Sequence, residues 1–133
     1  MNAPSEDIKD ILVAESSLDL TFTTNLFIGR EPEDKINTVT IFDTPGSPPQ
    51  SIFDKSEIYE YPSIQIRVKN AKYQAGFTLA DSIKNFLHGK SHEEINNTEY
   101  ELIEATGDPA LIAWTDNTQP LFTVNFNIQR RPA

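Results

Sequence analysis

Asp43-Thr44-Pro45-Gly46 has the DxxG spacing with which GTP-binding proteins reach a γ-phosphate and its magnesium, yet no GxxxxGK[ST] phosphate loop stands anywhere in the chain. Without that loop the tetrapeptide has no phosphate to act on and reads as a turn. His88 and His92 stand four apart, which on one helix face could hold a zinc ion, but Gly89 falls between them and no HExxH pattern is present. They read as a helix-end histidine and a loop histidine. The acidic groups Glu31, Glu33, Asp34 and Glu93, Glu94 lack the spacing of a calcium loop and read as solvated turns. No GxSxG elbow occurs, and a chain without cysteine has no Cys/His pair for nucleophilic catalysis. Asn96-Asn97-Thr98 fits a glycosylation sequon, which matters only in a secreted chain. Trp114, beside a hairpin turn, is either a recognition aromatic or a core side chain, and the core is the more usual place for so large a ring. These residues give no catalytic group, no metal site and no cofactor site.

The chain as a whole narrows the classes further. Its 133 residues, 38% of them apolar, suffice for one compact domain, expected to span residues 1–133. Twenty acidic against 11 basic side chains give a net charge of −9, which disfavours a surface that grips nucleic-acid phosphates. The lack of cysteine points away from oxidising compartments. The start MNAPSEDIKDIL lacks a signal-peptide pattern and no long apolar run follows, so a soluble protein without membrane contact is expected.

The elements that would position functional groups follow from periodicity. A first helix is expected near residues 5–18, with Ile8, Ile11, Leu12 and Leu18 on one stripe, Pro4 and Ser5 at its start and Glu6 and Asp7 in its first turn. NLFIGR (25–30) and TVTIFD (38–43) read as two paired strands joined by a charged turn. In PSIQIRVK, Ile64, Ile66 and Val68 alternate with polar residues as in a strand with one buried face. Asn70 is expected to cap a helix on which Tyr73, Gly76, Phe77, Ala80, Ile83 and Leu87 recur at helical spacing, with Gly89 as its left-handed stop. Gly76 inside that helix costs about 1 kcal/mol relative to Ala, which suggests close approach to the sheet. After the polar loop GKSHEEINN come TEYELIEA, ALIAWTD and LFTVNFNIQRR as strands, the last with unbroken alternation of Phe122, Val124, Phe126 and Ile128. The expected fold class is α+β: one mostly antiparallel or mixed sheet of about six strands, with two helices on one face, in the order α-β-β-β-α-β-β-β.

Two surfaces are left for function. Residues 44–57, TPGSPPQSIFDKSE, have neither period and hold three prolines, so Thr44, Pro45, Gly46, Ser47, Pro48, Pro49 and Gln50 form the candidate interaction loop. One-sided helix cover leaves Thr123, Asn125, Asn127 and Gln129, joined by Gln65 and Arg67 if the two strands are neighbours, on an uncovered face suited to a subunit contact or a channel.

The succession LFIGREPEDKINTVTIFDTPGSPP, YPSIQIRVKNAKYQAGFTLADSIKNFLHG and TGDPALIAWTDNTQPLFTVNFNIQRRP resembles the tail-terminator or minor capsid family of long-tailed bacteriophages, over about residues 25–132. The resemblance lies in the order of a proline-bearing segment after the second strand, an aromatic-Pro strand start, a helix ending in His-Gly, a Gly-Asp-Pro turn and a final PLF strand finishing in Gln-Arg. It implies a virion protein, assembled in the host cytoplasm, that closes the tail tube as a ring, usually of six subunits, and joins tail to head. Its partners would be its own copies, the tail tube protein and the head-tail connector or neck proteins, with DNA passing through without specific binding. Residues 1–18 lie outside the part that carries the resemblance. Two other readings stand beside it: a neck or head-completion protein, which would need the same acidic channel and similar loops and which sequence alone barely separates from the terminator, and a small acidic inhibitor of the immunity-protein or DNA-mimic kind, which uses the charge but gives the proline segment and the polar sheet face no task.

Overall fold

A computed structural model describes residues 1–50 and 59–133 of the chain. Two helices, α1 (Pro4–Ala14) and α2 (Tyr73–Leu87), accompany seven strands: β1 (Leu26–Ile28), β2 (Thr38–Gln50), β3 (Tyr59–Lys69), β4 (Glu93–Ile95), β5 (Thr98–Ala105), β6 (Ala110–Trp114) and β7 (Pro120–Pro132). The sheet runs β1-β2-β3-β7-β5-β4, and β6 also pairs with β7. All pairs are antiparallel except β1 with β2. This is the α+β arrangement expected from periodicity.

β7 organises the sheet because its alternation buries one row of side chains along a strand long enough to pair with three others. One edge meets β3, with Ile66 opposite Val124 and Ile64 opposite Phe126. The other edge is divided, residues 120–123 pairing with β6 and residues 126–132 with β5. Both helices cover the apolar face, where Ile8, Ile11 and Leu12 of α1 and Ala80, Ile83 and Leu87 of α2 share one buried cluster with Val39, Ile41, Ile64, Ile66, Val68, Val124 and Phe126. Gly76 lies where a Cβ would stand 3.0 Å from the Phe122 ring, which is the close approach its place in the helix suggested.

Four expectations are corrected. The first helix stops at Ala14, and Ser16–Leu18 forms a separate 3-10 turn closed by Asp19 at φ 54°. Asn70 does not cap α2: its side chain accepts from the Lys72 N–H, and Lys72 precedes the helix without a side-chain cap. Glu93–Ile95, assigned to a loop, is strand β4, too short and too charged to carry a period. β2 runs on through Thr44, Pro45, Gly46, Ser47, Pro48, Pro49 and Gln50, so these are strand rather than loop or turn; residues 51–57 of that expected loop lie outside the described residues. The prolines fit because β1 pairs only with residues 39–41, leaving the far stretch of β2 at an edge, where a missing N–H costs least. Two register shifts, at Thr44/Ser47 and Ser47/Gln50, absorb them. Gly46, at φ 69°, is required there, since a Cβ would overlap the Tyr61 carbonyl oxygen.

Candidate assembly surfaces

The register sets Arg67 beside Thr123, Gln65 beside Asn125 and Ser63 beside Asn127, with Gln129 further along, so the residues expected on one uncovered face do share it. They are not alike. Asn125 and Asn127 are exposed, Gln65, Arg67 and Gln129 half-buried, and Thr123 is buried, lying between Arg67 and Ala110. The cations of this face are each engaged. Arg67 Nε donates to Gln65 Oε1 at 2.8 Å with its guanidinium 4.9 Å from the Phe42 ring centre, and Lys69 Nζ donates to the Pro32 carbonyl at 2.6 Å. Arg131 donates to Glu101 at 2.7 Å and to Glu99 at 2.6 Å. What remains outward is amide, which accepts and donates to water or to a partner without attracting either charge sign. β3 and β7 themselves present no acidic surface there, because their face carries no carboxylate.

The proline-bearing end of β2 pairs with the start of β3 through Ser47 and Tyr61, and its described residues 45–49 are exposed. Its base is fixed from below. Asp43, the first residue of the DxxG tetrapeptide, accepts from the Ser5 backbone N–H at 3.0 Å and the Ser5 hydroxyl at 2.6 Å. It thus supplies the N-terminal cap that α1 lacks from its own residues.

Around that base is a buried polar network that residue patterns did not reveal. Asp7, fully buried, accepts from the Tyr100 phenol at 2.5 Å, from Asn96 at 2.7 Å and from Asn2 at 3.3 Å. Arg130 donates to the Asn2 carbonyl at 2.9 Å and to the Tyr100 oxygen at 3.3 Å, and pairs with Glu60 at 3.3 Å. Burial, then the hydrogen bond to Asp7, pushes the Tyr100 phenol well above its ordinary pKa and keeps it a donor. A signal for this was present: Asp7 stands four before Ile11, so a carboxylate lies on the apolar stripe of α1 and had to find partners inside.

His92, Glu99 and Glu101 bring three ligand-type atoms within 4.8 Å of one another. Both carboxylates already hold Arg131, and His92 Nδ1 lies 3.1 Å from Glu101, so a cation would have to displace a guanidinium. His88 lies apart from them, its Nδ1 accepting from the Ala105 N–H at 3.0 Å.

Trp114 is not in the core. It is 57% exposed on β6, all of whose residues are exposed, and it stacks on Tyr73 with ring centres 6.2 Å apart. The core assignment failed because β6 pairs only with the first residues of β7, where Phe122 takes the place beneath α2 and leaves the β6 side chains outside.

Comparison with known proteins gives a family and solved structures of similar fold. The family model of bacteriophage tail terminator proteins matches residues 7–131. A chain in a structure described as the virion of a native gene transfer agent particle superposes with a TM-score of 0.66 at 12% sequence identity, covering 96% of this chain and 94% of that one. No curated protein sequence matches significantly.

Proposed function

The chain belongs to the bacteriophage tail terminator family, a structural protein of the virion tail, and from that premise we propose that it closes the tail tube as a ring and forms the surface that joins tail to head. In this reading residues 1–133 act as one tail-terminator-like domain with a mechanical task and no catalytic one. The observation that carries it is the pairing of β3 with β7, which gathers Gln65, Arg67, Asn125, Asn127 and Gln129 on the face away from both helices. With Arg67 held by Gln65 and Phe42, such a face serves as a channel wall past which DNA moves without a site to bind, or as a wet subunit contact. The proline-bearing end of β2, from Thr44 to Gln50, is the arm that meets the neighbouring tail tube or connector protein, because α1 and Asp43 hold its base while its described tip stays exposed. A neck protein would need similar surfaces; the family match favours the terminator.

Electron microscopy of tails made with the wild-type chain and with the Asn125→Leu/Asn127→Leu variant tests this. Rings at the head-proximal end in the first and defective or missing rings in the second are expected, with the variant still folded. Tails of normal length, capped and joined to heads in the absence of the protein, would refute the reading.

A further inference from the structure

At the level of Leu26 the sheet has two different ends. Leu26, Val39, Val68, Phe122 and Leu111 lie side by side in one row, so β1 and β6 are its opposite edges, about 19 Å apart at the usual strand spacing. The β6 edge offers Leu111, Ile112 and Trp114, 36%, 45% and 57% exposed, with Tyr73 stacked on the indole. An apolar edge strand left open is a pairing hazard that soluble chains normally blunt with charge or proline, and residues 110–115 contain neither. Beside β1 lies a groove of about 640 Å³ lined by Phe22, Phe27, Ile28 and Pro32 on its apolar side and by Glu31, Glu33 and Asp34 at its lip. The run from Leu20 to Gly29 that builds its floor is also uncharged.

We propose that β6 of one copy, led by Trp114, docks in the β1 groove of a second copy, and that this head-to-tail contact links neighbours in the ring. This rests on the ring reading above. Several observations choose a second copy as the occupant. A contact between two different edges of the same chain is heterologous, and heterologous contacts are the ones that close into rings of more than two subunits. In a chain of net charge −9, copies approach with least repulsion where uncharged segments meet. Charge at the margin is complementary too. Lys72, next to Tyr73, is exposed and has no ion pair among the described residues, while the lip it would face carries three carboxylates against Arg30. The turn at Thr21–Asn25 occupies the outward backbone groups of Leu26, so the groove takes side chains rather than a full added strand.

The chain has no cysteine, which makes thiol cross-linking specific. Ile112→Cys and Arg30→Cys, both at exposed positions, are treated with a short bismaleimide separately, mixed and combined in one chain, while the same proteins are imaged on tails. Expected are about tenfold more cross-linked dimer in the mixture than in either single variant, and a ladder of oligomers from the double variant. Dimer from Ile112→Cys alone would mean a two-fold β6–β6 contact and overturn the proposal, as would rings on tails with no cross-link in the mixture. Cross-linking in the mixture without rings on tails would keep this contact and remove the ring reading; neither cross-links nor rings would remove both. Trp114→Glu is the control for a geometry too long for the linker: folded protein that no longer caps tails supports the contact, and normal capping overturns it.

Discussion

Along β7, the stretch Ile128–Arg131 lies against β5, and Arg130 within it is drawn into the buried network with Tyr100 and the Asn2 carbonyl beside the N-terminal helix. The stretch Pro120–Thr123 instead carries β6, whose apolar side chains face outward. One strand therefore ends in a buried polar network at one side and in an exposed apolar edge at the other, the reverse of what hydropathy alone assigns to core and surface. Polar groups go inside where they fix a geometry, here the seat of α1 and the base of the proline-bearing arm. Apolar groups stay outside on β6, the edge proposed above to meet a second copy. Single substitutions at the two ends should differ accordingly, in stability at one and in assembly at the other.

The largest expected loss is at the network. Asp7→Ala removes the acceptor shared by Tyr100, Asn96 and Asn2 and leaves a buried phenol beside Arg130. Hydrogen bonds to a charged group are worth about 1.5–3 kcal/mol each in net terms, so a loss of about 3 kcal/mol in urea unfolding is expected, together with loosening of α1 in hydrogen exchange. A cost below about 1 kcal/mol would mean that the network is ornamental and that apolar packing of Ile8, Ile11 and Leu12 alone seats the helix.

The next effect tests whether the β6 end, though open on one side, is rigid on the other. Gly76→Ala adds a methyl group 3.0 Å from the ring of Phe122, which is 1% exposed and held edge-on by Tyr73 and Phe77. Overpacking typically costs about 1–3 kcal/mol and the gain in helix propensity returns about 1 kcal/mol, so a net destabilisation of about 1 kcal/mol is expected. A stabilised variant would show that Phe122 can yield and that the support beneath β6 is soft.

How much of this was legible depends on how local its cause is. β3, β7 and α2 announce themselves because an apolar period runs through most of their length, from Ile64 to Val68, from Phe122 to Ile128 and from Tyr73 to Leu87, and β5 follows between its turns. β4 has only Glu93–Ile95 with which to show a period, and the parallel pairing of β1 with β2 rests on a crossover that composition does not encode. The extension of β2 through Pro45, Pro48 and Pro49 reads as loop because propensity cannot know that the segment will lie at an edge. The network of Asp7, Tyr100 and Arg130 joins residues 93 and 30 apart in sequence and left one trace, a carboxylate on an apolar stripe. The shared face of Gln65, Arg67, Asn125 and Asn127 was legible because alternation puts such residues on one side once two strands are neighbours. The burial of Thr123 was not, since it depends on what flanks it.

At the exposed edge itself the effect on folding should be small. Trp114→Ser removes a ring that is 57% exposed and touches Tyr73, so stability should change by no more than about 0.5 kcal/mol while solubility at high concentration rises. A loss of about 2 kcal/mol would place Trp114 functionally in the core after all and erase the contrast between the two ends.

The smallest effect concerns pH. Lys84 of α2 bonds Asp108, in the turn before β6, at 2.9 Å and pairs with Asp81 at 3.0 Å, tying that turn to the helix. The hydrogen bond from Lys84 holds the Asp108 carboxyl below its ordinary value of 3.8. A carboxylate whose pKa is depressed by folding contributes stability that is fully present above its unfolded value and is lost as pH falls through the folded one. The contribution should therefore be constant through neutral pH and disappear only below about pH 4, and exposure to water and salt keeps it slight. Asp108→Asn should flatten that acid limb marginally and leave stability at neutral pH nearly unchanged. If the variant instead freed the turn, seen as faster amide exchange at Ala110 and Leu111 at neutral pH, the ion pair would be positioning β6, and the exposed edge would depend on the helix side for its shape as well as its support.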